Sequence, residues 1–161
     1  SITLIDTGDN SMTGGRIKRI SKYLDDTFCL TYGDGLSNVD VSQIIATHKK
    51  NNTLATLTAV QPPGKFGAIT IENEKVTTFE EKPKGDAGWV NGGFFVLEPS
   101  VVDYIQGDTT MFEREPLQQL TKENQLSAYY HRGFWHPMDT LRDKNKLEEL
   151  WSNGNAPWKV W

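Results

Sequence analysis

The segment Phe28-Cys29-Leu30-Thr31-Tyr32 runs directly into Gly33-Asp34-Gly35, and no other stretch limits the fold as sharply. An uninterrupted apolar run of this length reads as a strand buried on both faces, the kind that parallel sheets contain. A helical pattern follows at once. Asp40 and Gln43 form a capping-box-like pair, Val41, Ile44, Ile45 and His48 share one face, and Lys49 and Lys50 suit the negative C-terminal end. Thr53 to Val60 then reads as a second strand. Strand, helix and strand in that order predict a right-handed crossover and a sheet that is at least partly parallel.

The remaining elements fit around that unit. Ile2 to Ile5 reads as a strand end entering a turn cluster, and Ile17 with Ile20 to Tyr23 as a short helix. Phe66 to Ile71 and Val76 to Glu81 flank a polar turn and predict an antiparallel hairpin. Phe94 to Leu97 and Leu126 to His131 are further strands, with helices expected over Pro99 to Gln106 and Glu113 to Lys122. The last helix starts at Thr140, pairs Asp143 with its cap, buries Leu147, Leu150 and Trp151, and stops near Asn153-Gly154. With neither repeat nor linker, residues 1–161 are expected to form a single α/β domain, a mixed, mainly parallel sheet flanked by helices.

Composition narrows the function classes. Seventeen basic against twenty-one acidic residues give a net charge of −4, which argues against a protein that coats nucleic acid. One cysteine excludes an internal disulfide framework, and three scattered histidines give no zinc-ligand spacing. No apolar run approaches the ~20 residues needed to cross a bilayer, so a cytoplasmic protein without membrane contact is expected. Cys29, inside the apolar run, is expected to be buried and inert, and His48 to be a core residue.

Several residues are candidates for chemistry. Asp34 closes a strand between two glycines, where ligands bind in open α/β sheets, although the same residues also fit a plain turn. Asp139 follows an aromatic strand and precedes a helix, so it is either a helix cap or a second carboxylate able to share a Mg²⁺ ion with Asp34. Lys82 ends the hairpin in Glu80-Glu81-Lys82-Pro83 and offers a point charge for phosphate, or a solvated edge. Glu80 and Glu81 are strand neighbours that point to opposite faces, which disfavours a glycosidase pair. Met12-Thr13-Gly14-Gly15-Arg16 offers amides, a hydroxyl and a guanidinium to an anion or base edge, but lacks the lysine-serine ending of a P-loop. Asn91-Gly92-Gly93 either lets a sugar approach the backbone or is a bulge.

Taken in order, Met12-Thr13-Gly14-Gly15-Arg16, Thr31-Tyr32-Gly33-Asp34-Gly35, Phe66-Gly67-Ala68, Phe79-Glu80-Glu81-Lys82-Pro83, Asn91-Gly92-Gly93-Phe94-Phe95 and Met138-Asp139-Thr140 resemble the sugar-phosphate nucleotidylyltransferases. The resemblance spans essentially the whole chain. It implies a Mg²⁺-dependent transfer from CTP to glucose 1-phosphate, giving CDP-glucose and pyrophosphate for bacterial surface polysaccharide such as O-antigen. UTP or dTTP in place of CTP, or a non-catalytic sugar-phosphate-binding or assembly module, are the alternatives. The resemblance further implies Asp34 and Asp139 as metal ligands and Lys82 on the sugar phosphate. It places Gly67, Glu81 and Asn91 on the sugar, Thr13, Gly15, Arg16 and Gly33 on the nucleotide, and implies a homo-oligomer. The family opens with a strand and a loop of pattern Gly-Gly-x-Gly-Thr-Arg, which does not occur among these 161 residues. The chain is therefore expected to be a C-terminal portion lacking the first nucleotide-binding strand-loop-helix, and inactive alone.

Overall fold

A computed structural model describes residues 1–62, 68–80 and 88–161. Its elements are α1 (Thr13–Arg19), β1 (Phe28–Thr31), β2 (Gly35–Ser37), α2 (Val41–Asn51), β3 (Ala55–Val60), β4 (Ala68–Glu72), β5 (Lys75–Glu80), β6 (Val90–Leu97), α3 (Glu115–Lys122), β7 (Leu126–His131), β8 (Trp135–Pro137) and α4 (Leu141–Ser152). Short 3₁₀ turns cover Ser21–Tyr23 and Pro99–Tyr104. Ile2 to Ile5 forms no strand. Ile2 and Leu4 are each 92% exposed, because nothing among the described residues offers that apolar tetrad a surface.

A four-stranded sheet runs in the order β1-β6-β3-β7. Strand β6 therefore lies between β1 and β3, so the crossover joins strands that are not neighbours. The sheet is mixed, as expected. Ala55 N–H donates to the Gln125 carbonyl at 3.0 Å and Thr56 meets Ser127 at 2.7 Å, which sets β3 and β7 in one direction. Tyr32 faces Gly93 while Thr27 reaches Glu98, which sets β6 against β1. Strand β1 lies at the end of the order, and its side chains alternate between half-buried and exposed. Cys29 is consequently exposed, contrary to the expectation of a strand buried on both faces. A continuous apolar run does not by itself distinguish a central strand from an edge one.

The chain groups into two compact units, each drawing on separate stretches of sequence. The first comprises Ser1–Leu30, Ser42–Leu57 and Phe94–Tyr129. Its core holds Phe95, Leu97, Val101, Ile105, Phe112 and Leu120, with the Phe95 and Phe112 rings edge to face at 5.8 Å. Each such side chain taken from water contributes about 1.5–3 kcal/mol. His48 is the core residue expected. Its Nε2 lies 2.9 Å from Glu98 Oε1 and, because a carboxylate only accepts, donates there, while Nδ1 lies 2.9 Å from Thr56 Oγ1.

The second unit comprises Thr31–Val41, Thr58–Gly93 and Tyr130–Trp161. Within it β2 pairs antiparallel with β8, and β4 with β5. The β4–β5 turn is the polar one read from the sequence. Asn73 and Glu74 take φ of 49° and 64°, so the two strands meet through a left-handed two-residue turn that matches their twist. Helix α4 starts as expected: Thr140 Oγ1 accepts from Asp143 N–H at 3.2 Å and Asp143 Oδ2 accepts from Thr140 N–H at 3.0 Å. It buries Leu147, but Trp151 is 51% exposed and carries the Lys159 ammonium 5.2 Å above its ring.

Candidate functional site

The strand pair β2–β8 brings the two candidate carboxylates together. Gly35 stands opposite Pro137 in the ladder, and Met138 N–H donates to the Asp34 carbonyl at 2.7 Å. Asp34 precedes β2 by one residue and Asp139 follows β8 by two, so both leave the same end of one antiparallel pair. Antiparallel strands are what make this happen, since the start of one meets the finish of the other. Both carboxylates are exposed, and neither makes a hydrogen bond or ion pair with a described residue.

The structure also removes the simpler explanation for Asp139. The N-cap of α4 is Thr140, not Asp139. His136 beneath it is buried, with its Nδ1 donating to the Pro137 carbonyl at 2.7 Å, and His131 is likewise buried with Nε2 3.1 Å from the Phe134 carbonyl. These two histidines are therefore backbone-binding supports of β8 and its turn.

Among the described residues no group of three or more His, Cys, Asp or Glu side chains is placed to hold a metal. An ion at this end of β2–β8 would rest on two carboxylates and complete its shell with water and substrate oxygens. Magnesium is bound in that manner, so the donor set fits it.

Asn91 lies on β6 in the same unit, half-buried. Its Oδ1 accepts from Gly93 N–H at 2.9 Å, and Trp135 Nε1 donates to the Gly92 carbonyl at 2.8 Å, which fixes the backbone around it. Gly93 has φ of 78° and a Cβ there would stand 2.7 Å from the Tyr32 ring, so glycine is required on both counts. Gly33 is different, since a Cβ would meet nothing within 4 Å.

Thr13, Gly15 and Arg16 belong to the first unit. Thr13 Oγ1 donates to Glu113 at 2.6 Å and accepts from Phe112 N–H at 2.9 Å, and Arg16 Nη1 donates to Thr7 at 2.7 Å. A Cβ on Gly15 would lie 2.5 Å from the Asp108 carbonyl oxygen, so close packing of α1 already accounts for that glycine. Beside it, Arg19 makes a bidentate pair with Asp108 at 2.8 and 2.6 Å; this hydrogen bond holds the Asp108 carboxyl below its ordinary value. Gly67, Glu81 and Lys82 lie outside the described residues.

One cluster escaped sequence reasoning. Trp89 and Tyr130 meet edge to face at 4.8 Å, and the Arg132 guanidinium lies 5.1 Å over the Trp89 ring. Trp89 lies far in sequence from Tyr130 and Arg132, and each looks ordinary there. Only the sheet order joins them.

Residues 13–150 match the family model described as nucleotidyl transferase. The chain belongs to that family. It is 55% identical over its whole length to the glucose-1-phosphate cytidylyltransferase of Salmonella typhi, and 43% identical over 99% of its length to a probable glucose-1-phosphate cytidylyltransferase of Bacillus subtilis. It spans 63% of the length of each of those relatives. Among solved structures, HddC from Yersinia pseudotuberculosis matches with a TM-score of 0.67 at 21% identity, covering 89% of this chain and 64% of that one. An apo UDP-glucose pyrophosphorylase matches with a TM-score of 0.67 at 13% identity, covering 93% and 63%. At such identities the likeness shows the fold, and the fold is the α/β one expected.

Proposed function

We propose that this chain is the sugar-phosphate- and metal-binding portion of a cytidylyltransferase that joins CTP and α-D-glucose 1-phosphate into CDP-glucose and pyrophosphate. The observation that carries the reading is the 55% identity along all 161 residues to a relative of that name, supported by Asp34 and Asp139 meeting at one end of β2–β8. A phosphate oxygen of the sugar phosphate attacks the α-phosphorus of CTP. The bond to the β-phosphate breaks opposite it, and pyrophosphate leaves without an enzyme-bound intermediate. Chemistry of this kind asks a protein mainly to align two anions and offset their charge.

The residues divide that work. Asp34 and Asp139 hold the divalent ion, Mg²⁺ in this reading, which when bound neutralises and orients phosphate oxygens. Lys82 holds the sugar phosphate as a point charge, and Gly67, Glu81 and Asn91 contact the sugar. On the nucleotide side Arg16 has used one of its five N–H donors on Thr7 and keeps others for a base or phosphate. Thr13 keeps one lone pair, Gly15 lets α1 pack closely beside it, and the open space at Gly33 admits a ligand against the chain. The enzyme is cytoplasmic, works as a homo-oligomer, and needs the rest of its nucleotide-binding half for turnover.

Calorimetric titration with glucose 1-phosphate, with and without Mg²⁺, tests this division. Binding heat should be present in the wild type and fall at least tenfold in apparent affinity for Lys82→Ala, with the Mg²⁺-dependent part abolished by Asp34→Ala or Asp139→Ala. Equal heats in all four proteins would instead favour a non-catalytic binding or assembly module.

A further inference from the structure

We infer that His136 and Asp143 are positioning residues for the divalent-ion site, clamping the backbone on either side of Asp139 so that its carboxylate is held at the end of β2–β8 that also carries Asp34. The inference rests on the proposed metal role of Asp34 and Asp139 and adds residues to it. Every residue it uses to build the site belongs to the second unit.

Two peptide groups bracket Asp139. The first joins Pro137 to Met138 and is gripped at both ends: the Pro137 carbonyl accepts from His136 Nδ1 at 2.7 Å, and the Met138 N–H donates to the Asp34 carbonyl at 2.7 Å. The second joins Asp139 to Thr140, and its N–H donates to Asp143 Oδ2 at 3.0 Å. Thr140 Oγ1 also donates to that oxygen at 2.7 Å and accepts from Asp143 N–H at 3.2 Å. Asp139 thus lies between two clamped peptides, while its own carboxylate makes no hydrogen bond or ion pair with a described residue. The backbone is fixed and the charged end is left for a ligand.

A helix cap alone does not account for this arrangement. The cap needs only the oxygen that Asp143 gives to Thr140, yet Oδ1 turns toward His136 Nε2 at 4.0 Å, beyond a hydrogen bond but close enough to pack the two clamps together. His136 is buried on β8, its ring stacked with Phe134 at 6.4 Å between centroids. An apolar ring would fill that space without the desolvation cost of a buried imidazole, so what the imidazole adds is its grip on the Pro137 carbonyl. Magnesium demands near-octahedral geometry at short distances, which makes its affinity sensitive to where a carboxylate's backbone sits. Groups that orient a metal-bound carboxylate change metal affinity by about 10–100-fold when removed.

The test follows Mn²⁺, a paramagnetic stand-in for Mg²⁺, as it binds the full-length protein carrying this segment, by the loss of the free-ion EPR signal and with Mg²⁺ as competitor. His136→Phe and Asp143→Ala should each weaken Mn²⁺ binding about tenfold or more. His136→Asn, which keeps a donor for the Pro137 carbonyl, and Asp143→Asn, which keeps an acceptor for Thr140, should recover most of the loss. Leu147→Ala is the control, since it destabilises α4 from its buried face and should leave Mn²⁺ affinity within about twofold of wild type. Asp143→Ala, at a partly exposed position, decides by itself if His136→Phe does not fold. Wild-type affinity in both His136→Phe and Asp143→Ala overturns the inference. So does an equal weakening in Leu147→Ala, which marks general destabilisation. If the wild type binds no Mn²⁺, or Asp139→Ala binds it as tightly as wild type, the proposed metal role itself fails, an outcome distinct from the other two.

Discussion

Glu98 shows how much one side chain's surroundings decide. Partial burial pushes its carboxyl up, but hydrogen bonds from His48 and from Thr27 at 2.7 Å outweigh that and hold it below the ordinary glutamate value. A carboxyl with a lowered folded pKa adds stability above its unfolded value of roughly 4.3, and loses that contribution as pH falls through the folded value. Thr27→Val removes one donor and should cost about 0.5 kcal/mol at pH 6, a small figure because the carboxylate is partly exposed. The difference between wild type and variant in urea midpoint should shrink as pH falls through the folded value and the carboxyl becomes protonated in both. Asp139 makes a related point. From sequence alone it read first as a cap and only with Asp34 as a ligand, and it is the neighbour Thr140 that takes the cap. Cys29 shows the limit: its identity was plain, but its exposure depends on which strands flank β1, and no local pattern encodes that.

Local elements were the most legible. The capping pair at Thr140 and Asp143, the polar turn of the β4–β5 hairpin and the strand at Leu126–His131 rest on short-range chemistry that a sequence displays directly. The partnership of β2 with β8 was not legible, since Gly35–Ser37 is too short to carry a period and its partner lies a long way down the chain. Yet this pair aligns Asp34 with Asp139. The N-cap of α4, Thr140, directly follows Asp139, so the cap also anchors the carboxylate's backbone. Thr140→Ala should lower stability by about 1 kcal/mol, seen in the thermal or urea midpoint, and Thr140→Ser should restore most of it.

For the whole molecule, composition excluded more than it identified. A net charge of −4 spoke against nucleic-acid coating and left open a site where a few cations and one metal handle two anionic substrates. No helix among the described residues is long and apolar enough to cross a membrane. The fold class was readable from the strand-helix-strand order; the sheet order, with β6 between β1 and β3, was not, because non-local pairing leaves no mark on either partner. The same reason hid the Trp89, Tyr130 and Arg132 cluster, while the ordered motifs made the family plain. What remains is the reaction itself. Pyrophosphate release by the full-length protein should be measured with glucose 1-phosphate, Mg²⁺ and each of CTP, UTP, dTTP and GTP in turn. The account predicts turnover with CTP at least about a hundredfold above the others in kcat/KM, lost on Asp34→Asn or Asp139→Asn. Preference for another nucleotide, or full activity in both aspartate variants, would contradict it.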